Sequence, residues 1–228
     1  MERSSELDRI RIAIDGPAGA GKSSVARAIA EKLGILYLDT GAMYRAFAYY
    51  AENLAKAEKI DEEMAEELFR DFDLRFSEGK VLLGDEDITQ VIRTPRIDKA
   101  VSPYASNPFV RKQMVSLQRS IGEGTDIVME GRDICTVVLK DSPYKFYLDA
   151  SVEERARRRF LQNEQKGISE DMEAIKADII RRDEADMNRE ADPLRKAEDA
   201  FVVDSTHMSQ EEVVDEIIRK TLEIKNAL

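Results

Sequence analysis

The sequence predicts an α/β fold: a five-stranded parallel sheet core with helices on both faces, plus a small antiparallel β insertion and a helical lid. Three observations carry this. Short apolar runs alternate with helical patterns along the chain, the rhythm of a parallel sheet. One acidic stretch breaks that rhythm with period-two alternation. The 228 residues are 43% hydrophobic and 36% charged, enough apolar material for a core and too patterned for a disordered chain.

The strands are expected at Arg11–Ile14, Ile35–Leu38, Asp126–Glu130, Lys145–Leu148 and Phe201–Val203. Each is a brief apolar run, as strands covered on both faces require. Between the first two, Val25, Ile29 and Leu33 share a helical face, and Gly34 stands where a C-terminal glycine cap belongs. The last helix opens at Ser209 with Glu212 three residues on, a capping box, and Val213, Ile217 and Leu222 are its expected buried stripe. From Phe72 to Thr89, Phe72, Leu74 and Phe76 alternate with polar residues and Gly79 turns the chain into Val81–Leu83. This reads as a solvent-exposed antiparallel insertion.

Composition excludes several function classes. The single cysteine, Cys135, cannot form an internal disulfide and suits a reducing cytosol; it reads as a small buried hydrophobe. The single histidine, His207, excludes multi-histidine metal sites. No run approaches the roughly 18 apolar residues of a membrane span, and the polar stretch from Met1 to Arg11 has no apolar h-region, so no secretory signal is expected. The net charge of −11 argues against a nucleic-acid surface. That charge is uneven. Glu52 to Gln90 holds 13 acidic and 5 basic residues, a net −8, which leaves −3 for the rest. Arginines outnumber lysines 21 to 14, and arginine is the better bidentate partner for phosphate. What remains is chemistry by Lys, Arg, Asp and hydroxyls, which suits phosphoryl transfer.

The strongest motif is Gly16-Pro17-Ala18-Gly19-Ala20-Gly21-Lys22-Ser23, a G-x-x-x-x-G-K-[ST] phosphate loop after a strand and opening a helix, followed by Ser24. Its glycines let backbone N–H groups curl around phosphate oxygens. Lys22 neutralises the β/γ charge, the Ser23 hydroxyl reaches Mg²⁺, and the helix N-terminus adds its dipole. The spacing excludes a dinucleotide G-x-G-x-x-G. Asp39-Thr40-Gly41 ends the second strand, with Tyr44 and Arg45 following. An aspartic protease needs two such carboxylates and the chain has one copy, so the reading is either a second anion pocket at Thr40 and Arg45 or an ordinary strand-to-helix turn. Gly131-Arg132-Asp133 follows the third strand at another carboxyl edge, as an anion site or a plain salt bridge. Arg155, Arg158 and Arg159 share one helical face while Arg157 points elsewhere, and Arg182, Asp186 and Arg189 share another. Alone these are solvated faces. With the phosphate loop they read as a phosphate clamp in a closing lid.

Together these landmarks resemble the bacterial cytidylate kinase family along essentially the full chain. They are Asp15-Gly16-Pro17, Gly21-Lys22-Ser23, Leu38 to Arg45, Ile92-Arg93-Thr94, Glu130 to Asp133, Thr136-Val137-Val138 and Arg182-Asp183 through Asp186 to Asn188-Arg189. The resemblance implies a single P-loop kinase domain: a core of about 1–40, 100–150 and 171–228, a nucleoside monophosphate-binding insertion of about 41–99, and a lid of about 151–170. It implies transfer of the ATP γ-phosphoryl group to CMP or dCMP, with Mg²⁺. Ser102, Arg111 and Asp133 would face the cytosine, and Arg45 and Arg132 the acceptor phosphate with Thr40 and Tyr44 nearby. Asp186 would take the sugar hydroxyls. Arg182 and Arg189 would bridge to the phosphates, with Arg155 and Arg159 from the lid. Asp39 and Asp133 are both open as the carboxylate that organises Mg²⁺. The family usually has glycine where Cys135 stands. A monomer in the cytoplasm is expected. The rivals are a P-loop kinase for UMP, AMP or shikimate, and a nucleotide switch, whose N-K-x-D and D-x-x-G sequences do not occur here.

Overall fold

A computed structural model of the chain describes residues 9–54, 60–77, 79–165 and 167–228. Residues 1–8, at the start of the chain, and parts of the expected insertion (55–59 and 78) and lid (166) lie outside the described residues. The chain divides into two compact units, Met1–Leu38 with Gly122–Leu228, and Asp39–Ile121. Residues 100–121, which the sequence reading assigns to the core, group with the second unit.

The first unit is built on a five-stranded sheet in the order β2-β6-β1-β7-β8, with β1 Arg11–Asp15, β2 Leu36–Asp39, β6 Ile127–Gly131, β7 Lys145–Asp149 and β8 Phe201–Asp204. All five expected strands are present, most of them shifted or extended by one residue. β1 pairs in parallel with β6, from Arg11 opposite Ile127 to Asp15 opposite Gly131, and with β7 on its other side. The segments that leave β1 and β6 therefore start side by side at one edge. Ile12, Ile14, Val128, Phe146, Leu148 and Val203 from the strands pack with Val25 and Ile29 of α1 (Lys22–Leu33) and Val213 and Ile217 of α8 (Gln210–Ala227). Each such side chain contributes roughly 1.5–3 kcal/mol by leaving water.

Gly34 caps α1 at φ +65° and donates its N–H to Ala30, and Ser209 with Glu212 forms the expected reciprocal capping box of α8. One expectation on α8 fails. Leu222 is 44% exposed, because from Ile217 the next position on the buried face is four residues on, at Thr221. Thr221 is fully buried and gives its hydroxyl back to the Ile217 carbonyl at 2.8 Å, which satisfies it without a partner elsewhere. Helices α6 (Val152–Gln165) and α7 (Met172–Asn188) close on each other through Ala156, Ile175 and Ile179, with Val152, Phe160 and Met172 around them.

The second unit contains α2 (Thr40–Tyr49), a π-helical turn at Tyr50–Leu54, α3 (Glu62–Arg70), α4 (Pro95–Ser106) and most of α5 (Pro108–Gly122). Its hub is Phe47, stacked on Phe69 at 4.6 Å and meeting Phe72 and Tyr104 edge-on. The antiparallel insertion is present as β3 (Leu74–Ser77), β4 (Lys80–Leu83) and β5 (Glu86–Asp87), turning at Gly79 with φ +78°. It is not wholly solvent-exposed: Val81 and Leu83 are buried, one face of a half-covered sheet. Among the described residues no helix is long and apolar enough to cross a membrane.

Candidate active site

The phosphate loop leaves β1 at Gly16, and its glycines are required by the backbone. Gly16, Gly19 and Gly21 have φ of +154°, +78° and +93°. The carbonyls of the loop meet cations. Lys22 is 5% exposed and donates to Gly16 O and Pro17 O, both at 2.8 Å. Arg155 and Arg158 donate to Ala18 O and Ala20 O at 2.8 and 3.3 Å. Ser24 folds back to Gly21 O at 2.9 Å. Burial pulls the Lys22 ammonium down to about 7, with the nearby Arg132 charge adding to the shift and Glu130, Asp15 and Asp186 opposing it. Of these carboxylates, Asp15 ends β1, Glu130 is the penultimate residue of β6 and Asp186 comes from α7.

Ser23 donates its hydroxyl to Glu130 Oε1 at 2.7 Å. Glu130 is 5% exposed and is the penultimate residue of β6. Neither carboxylate proposed from sequence for Mg²⁺ is bonded to Ser23. Asp39 caps α2, accepting from Ala42 N at 2.7 Å and pairing with Arg45 and Arg93 at 3.5 and 3.6 Å. Asp133 pairs with Arg189 at 3.1 Å. In the sequence Glu130 stands only within a landmark; the signal that marks it is its position at the end of an apolar strand, just before Gly131.

After β6, Gly131-Arg132-Asp133 interlocks with the end of α7. Arg132 Nε donates to Asp186 Oδ2 at 2.6 Å, and Arg189 Nη2 to Asp133 Oδ1 at 3.1 Å. Burial alone would lower the Arg132 pKa, but the Asp186 charge and hydrogen bond outweigh it and the net shift is upward. The expected single face of Arg182, Asp186 and Arg189 does not form. α7 stops at Asn188, Arg189 is extended and donates to Asp192 O, and Arg182 pairs one turn back with Asp178 at 2.8 Å.

Asp15, missed as a functional residue, holds this segment in place. It is fully buried and accepts the N–H groups of Ile134 and Cys135, both at 2.8 Å, at the start of a π-helical turn spanning Ile134–Val138. Burial pushes its carboxyl up to about 6, against the pull of the Cys135 and Ile134 N–H bonds and with help from the Asp133 charge. Cys135 itself is 1% exposed, its thiol turned to Ala13 O and Phe146 O, and burial pushes that thiol far up. It is the inert small hydrophobe expected from sequence.

The expected lid arginines divide. Arg155 is 5% exposed and is held by Ala150 O, Ala18 O and Asp183. Arg158 reaches Ser205 as well as Ala20. Arg159 is exposed, and Arg157 turns to Glu154 at 2.7 Å. The first turns of α6 are thus packed on the phosphate loop through Arg155 and Arg158.

In the second unit, Thr40 is 3% exposed at the start of α2. Arg45 has a buried Nε without a hydrogen-bond partner beside its Asp39 contact. Arg111 is 2% exposed, lies 5.7 Å over the Tyr44 ring and donates to Ala105 O at 3.3 Å. Ser102 is exposed on α4. An open groove of about 500 Å³ beside β8, lined by residues including Asp199, Phe201, Lys220 and Glu223, contains none of the expected site residues.

The chain is similar to known proteins along most of its length. The family model for cytidylate kinase matches residues 12–223. A cytidylate kinase of Geobacillus kaustophilus (strain HTA426) is 49% identical over 215 residues, covering 92% of this chain and 95% of the relative. That of Bacillus thuringiensis (strain Al Hakam) is 45% identical over 214 residues, covering 92% and 95%. A solved structure of an uncharacterized protein from Eubacterium ventriosum ATCC 27560 shares the fold at a TM-score of 0.51 and 16% identity, covering 94% of this chain and 99% of its own. Matched by the family model over residues 12–223 and by a relative 49% identical over 92% of its length, the chain belongs to the cytidylate kinase family.

Proposed function

We propose that this protein transfers the γ-phosphoryl group of ATP to CMP and dCMP, giving CDP and dCDP by direct in-line displacement. The observation that carries this reading is the register of β1 and β6, which sets the phosphate loop and Gly131-Arg132-Asp133 side by side; the Lys22 pKa is lowered first by burial and then by the Arg132 charge. Such transfer needs positioning and positive charge more than covalent chemistry. Lys22 exchanges Gly16 O and Pro17 O for the β- and γ-phosphates. Arg132 and Arg45 hold the acceptor phosphate, and the unpartnered Arg45 Nε is a donor that an anion satisfies. Thr40 and Tyr44 flank Arg45 on α2, and Ser102 and Arg111 face the base. Asp133 accepts the cytosine amino group, which uracil lacks; its O4 offers only lone pairs and meets the carboxylate as acceptor against acceptor. Asp186 takes the sugar hydroxyls. Arg182, Arg189 and Arg159 add charge toward the phosphates, and Arg155 acts from behind the loop.

The Ser23 hydroxyl and Glu130 carboxylate are hard oxygen donors of the kind that suits Mg²⁺, which keeps waters and takes few protein ligands beside nucleotide phosphates. Bound there, Mg²⁺ would neutralise charge on the β- and γ-phosphates. Ser23 would ligate it, and Glu130 would fix the hydroxyl. The enzyme is further proposed to work as a monomer in the cytoplasm, a reading that the single buried cysteine suits. Light scattering at 25.9 kDa or at twice that mass tests the first part. The main test is ADP release from ATP and Mg²⁺ with CMP, dCMP, UMP, AMP, GMP and shikimate. Turnover with CMP and dCMP well above UMP supports the proposal; preference for another acceptor discards the base-pocket assignments.

A further inference from the structure

The phosphate loop is gripped from outside by one buried ion pair. Asp183 on α7, 7% exposed, accepts the N–H of Ala18 at 3.0 Å through Oδ1. Through Oδ2 it accepts Arg155 Nη1 at 2.5 Å. Arg155 is 5% exposed on α6; its Nη1 also donates to Ala18 O at 2.8 Å and its Nε to Ala150 O at 2.9 Å. Both main-chain polar groups of Ala18 are therefore fixed by the same pair. The grip is close as well as polar: a Cβ added at Gly19 would stand 3.3 Å from the Cβ of Arg155.

We propose that Arg155 and Asp183 are a positioning pair for the ATP site. They fix the orientation of the two peptide groups at Ala18, and so the curl that aims the following N–H groups at the phosphates. Neither touches nucleotide. The loop enters from Pro17, whose carbonyl is held by Lys22, a bond that ATP must displace. Ala18 is the next residue, and the pair keeps it in place while Lys22 lets go. An ion pair with this geometry is also a strong local constraint, since removing either partner leaves the other buried and uncompensated. This inference rests on the reading of the loop as an ATP site.

The test separates positioning from bulk stability. In Asp183→Asn, Ala18 N–H keeps an acceptor of the same shape while Arg155 loses its counter-charge. In Arg155→Lys the charge stays, but one ammonium cannot reach Ala18 O, Ala150 O and Asp183 together in the fork geometry of a guanidinium. ATP and CMP affinities are measured separately by calorimetry, at least 20 °C below the melting temperature of each variant. The expected result is a tenfold or greater rise in the ATP Kd in Asp183→Asn, a smaller rise in Arg155→Lys, and a CMP Kd within twofold of the parent in both. A lower melting temperature with ATP affinity within twofold of the parent overturns the proposal, as does an equal loss of ATP and CMP affinity. If Asp183→Asn does not fold, Arg155→Lys decides alone, by a rise in the ATP Kd of threefold or more against none. A parent protein that does not bind ATP would instead overturn the reading of the loop itself.

Discussion

Replacing Gly16 by alanine puts a methyl where the fold has no room. The added Cβ would lie 2.0 Å from the carbonyl oxygen of Leu148 and 3.1 Å from its carbonyl carbon, at φ +154°. Leu148 belongs to β7, paired on both sides in the sheet, so the obstacle is main chain that cannot swing aside. Overpacking costs about 1–3 kcal/mol, and forcing a side chain into an unfavourable backbone region about as much again, so Gly16→Ala is expected to lose about 2–6 kcal/mol. Gly34 is the control. Its φ is +65°, but an added Cβ meets nothing within 4 Å, leaving only a conformational cost of about 1–2 kcal/mol. For a chain of this size about 1 kcal/mol moves the melting temperature by roughly 2–4 °C. Thermal unfolding by circular dichroism should therefore show a fall of roughly 4–24 °C for Gly16→Ala, and the smaller fall of roughly 2–8 °C for Gly34→Ala. ATP affinity should drop in the first and hold in the second. A melting temperature for Gly16→Ala equal to or above that of Gly34→Ala would refute the account of how the loop leaves the sheet.

Three further outcomes follow from the site. Asp133→Asn should cut the CMP-over-UMP ratio of kcat/KM by about 10- to 100-fold, with ATP affinity unchanged, because the amide can present a donor to uracil O4; an unchanged ratio removes Asp133 from base choice. Glu130→Gln keeps an acceptor for the Ser23 hydroxyl but loses charge, and should raise the Mg²⁺ concentration for half-maximal rate by about 10-fold or more, with ATP affinity in metal-free buffer unaltered. Asp15 has its folded-state pKa raised from 3.8 to about 6, so the native protein binds more protons than the unfolded chain between these values. Its contribution is therefore most favourable below pH 4 and is lost as pH rises through 6, by at most about 3 kcal/mol. The stability difference between parent and Asp15→Asn, from urea unfolding at pH 4 to 7.5, should narrow over that window and then stay flat; a difference that grows with pH contradicts the assignment.

The sheet was legible because each strand is a compact apolar run between turn residues, and Gly34 and Ser209 mark helix ends by their own chemistry. The phosphate loop was legible for the same reason: its glycines answer a backbone demand that can be read at one position. Charge pairing could not be read this way. Arg132 and Asp186 are 54 residues apart, and nothing in a chain with 21 arginines and 46 acidic residues specifies that pair over others. Arg189 shows the limit of helical spacing, since it holds Asp133 from an extended segment beyond the helix end. Leu222 shows another: which of two adjacent positions is buried depends on where the helix face meets the sheet, and Thr221 takes that place because its hydroxyl can be satisfied locally. Glu130, Asp15 and Asp183 escaped as site residues because a carboxylate that positions a backbone or a hydroxyl carries no sequence mark distinguishing it from a solvated one.

Transfer of the γ-phosphoryl group of ATP onto CMP can be followed atom by atom. Its most direct test is to incubate γ-labelled ATP and Mg²⁺ with CMP and follow the label. Label is expected in CDP in one-to-one proportion with ADP, at a rate set by CMP and abolished in Lys22→Met. Label released as inorganic phosphate independently of CMP, or ATP bound and left intact with CMP present, would contradict it.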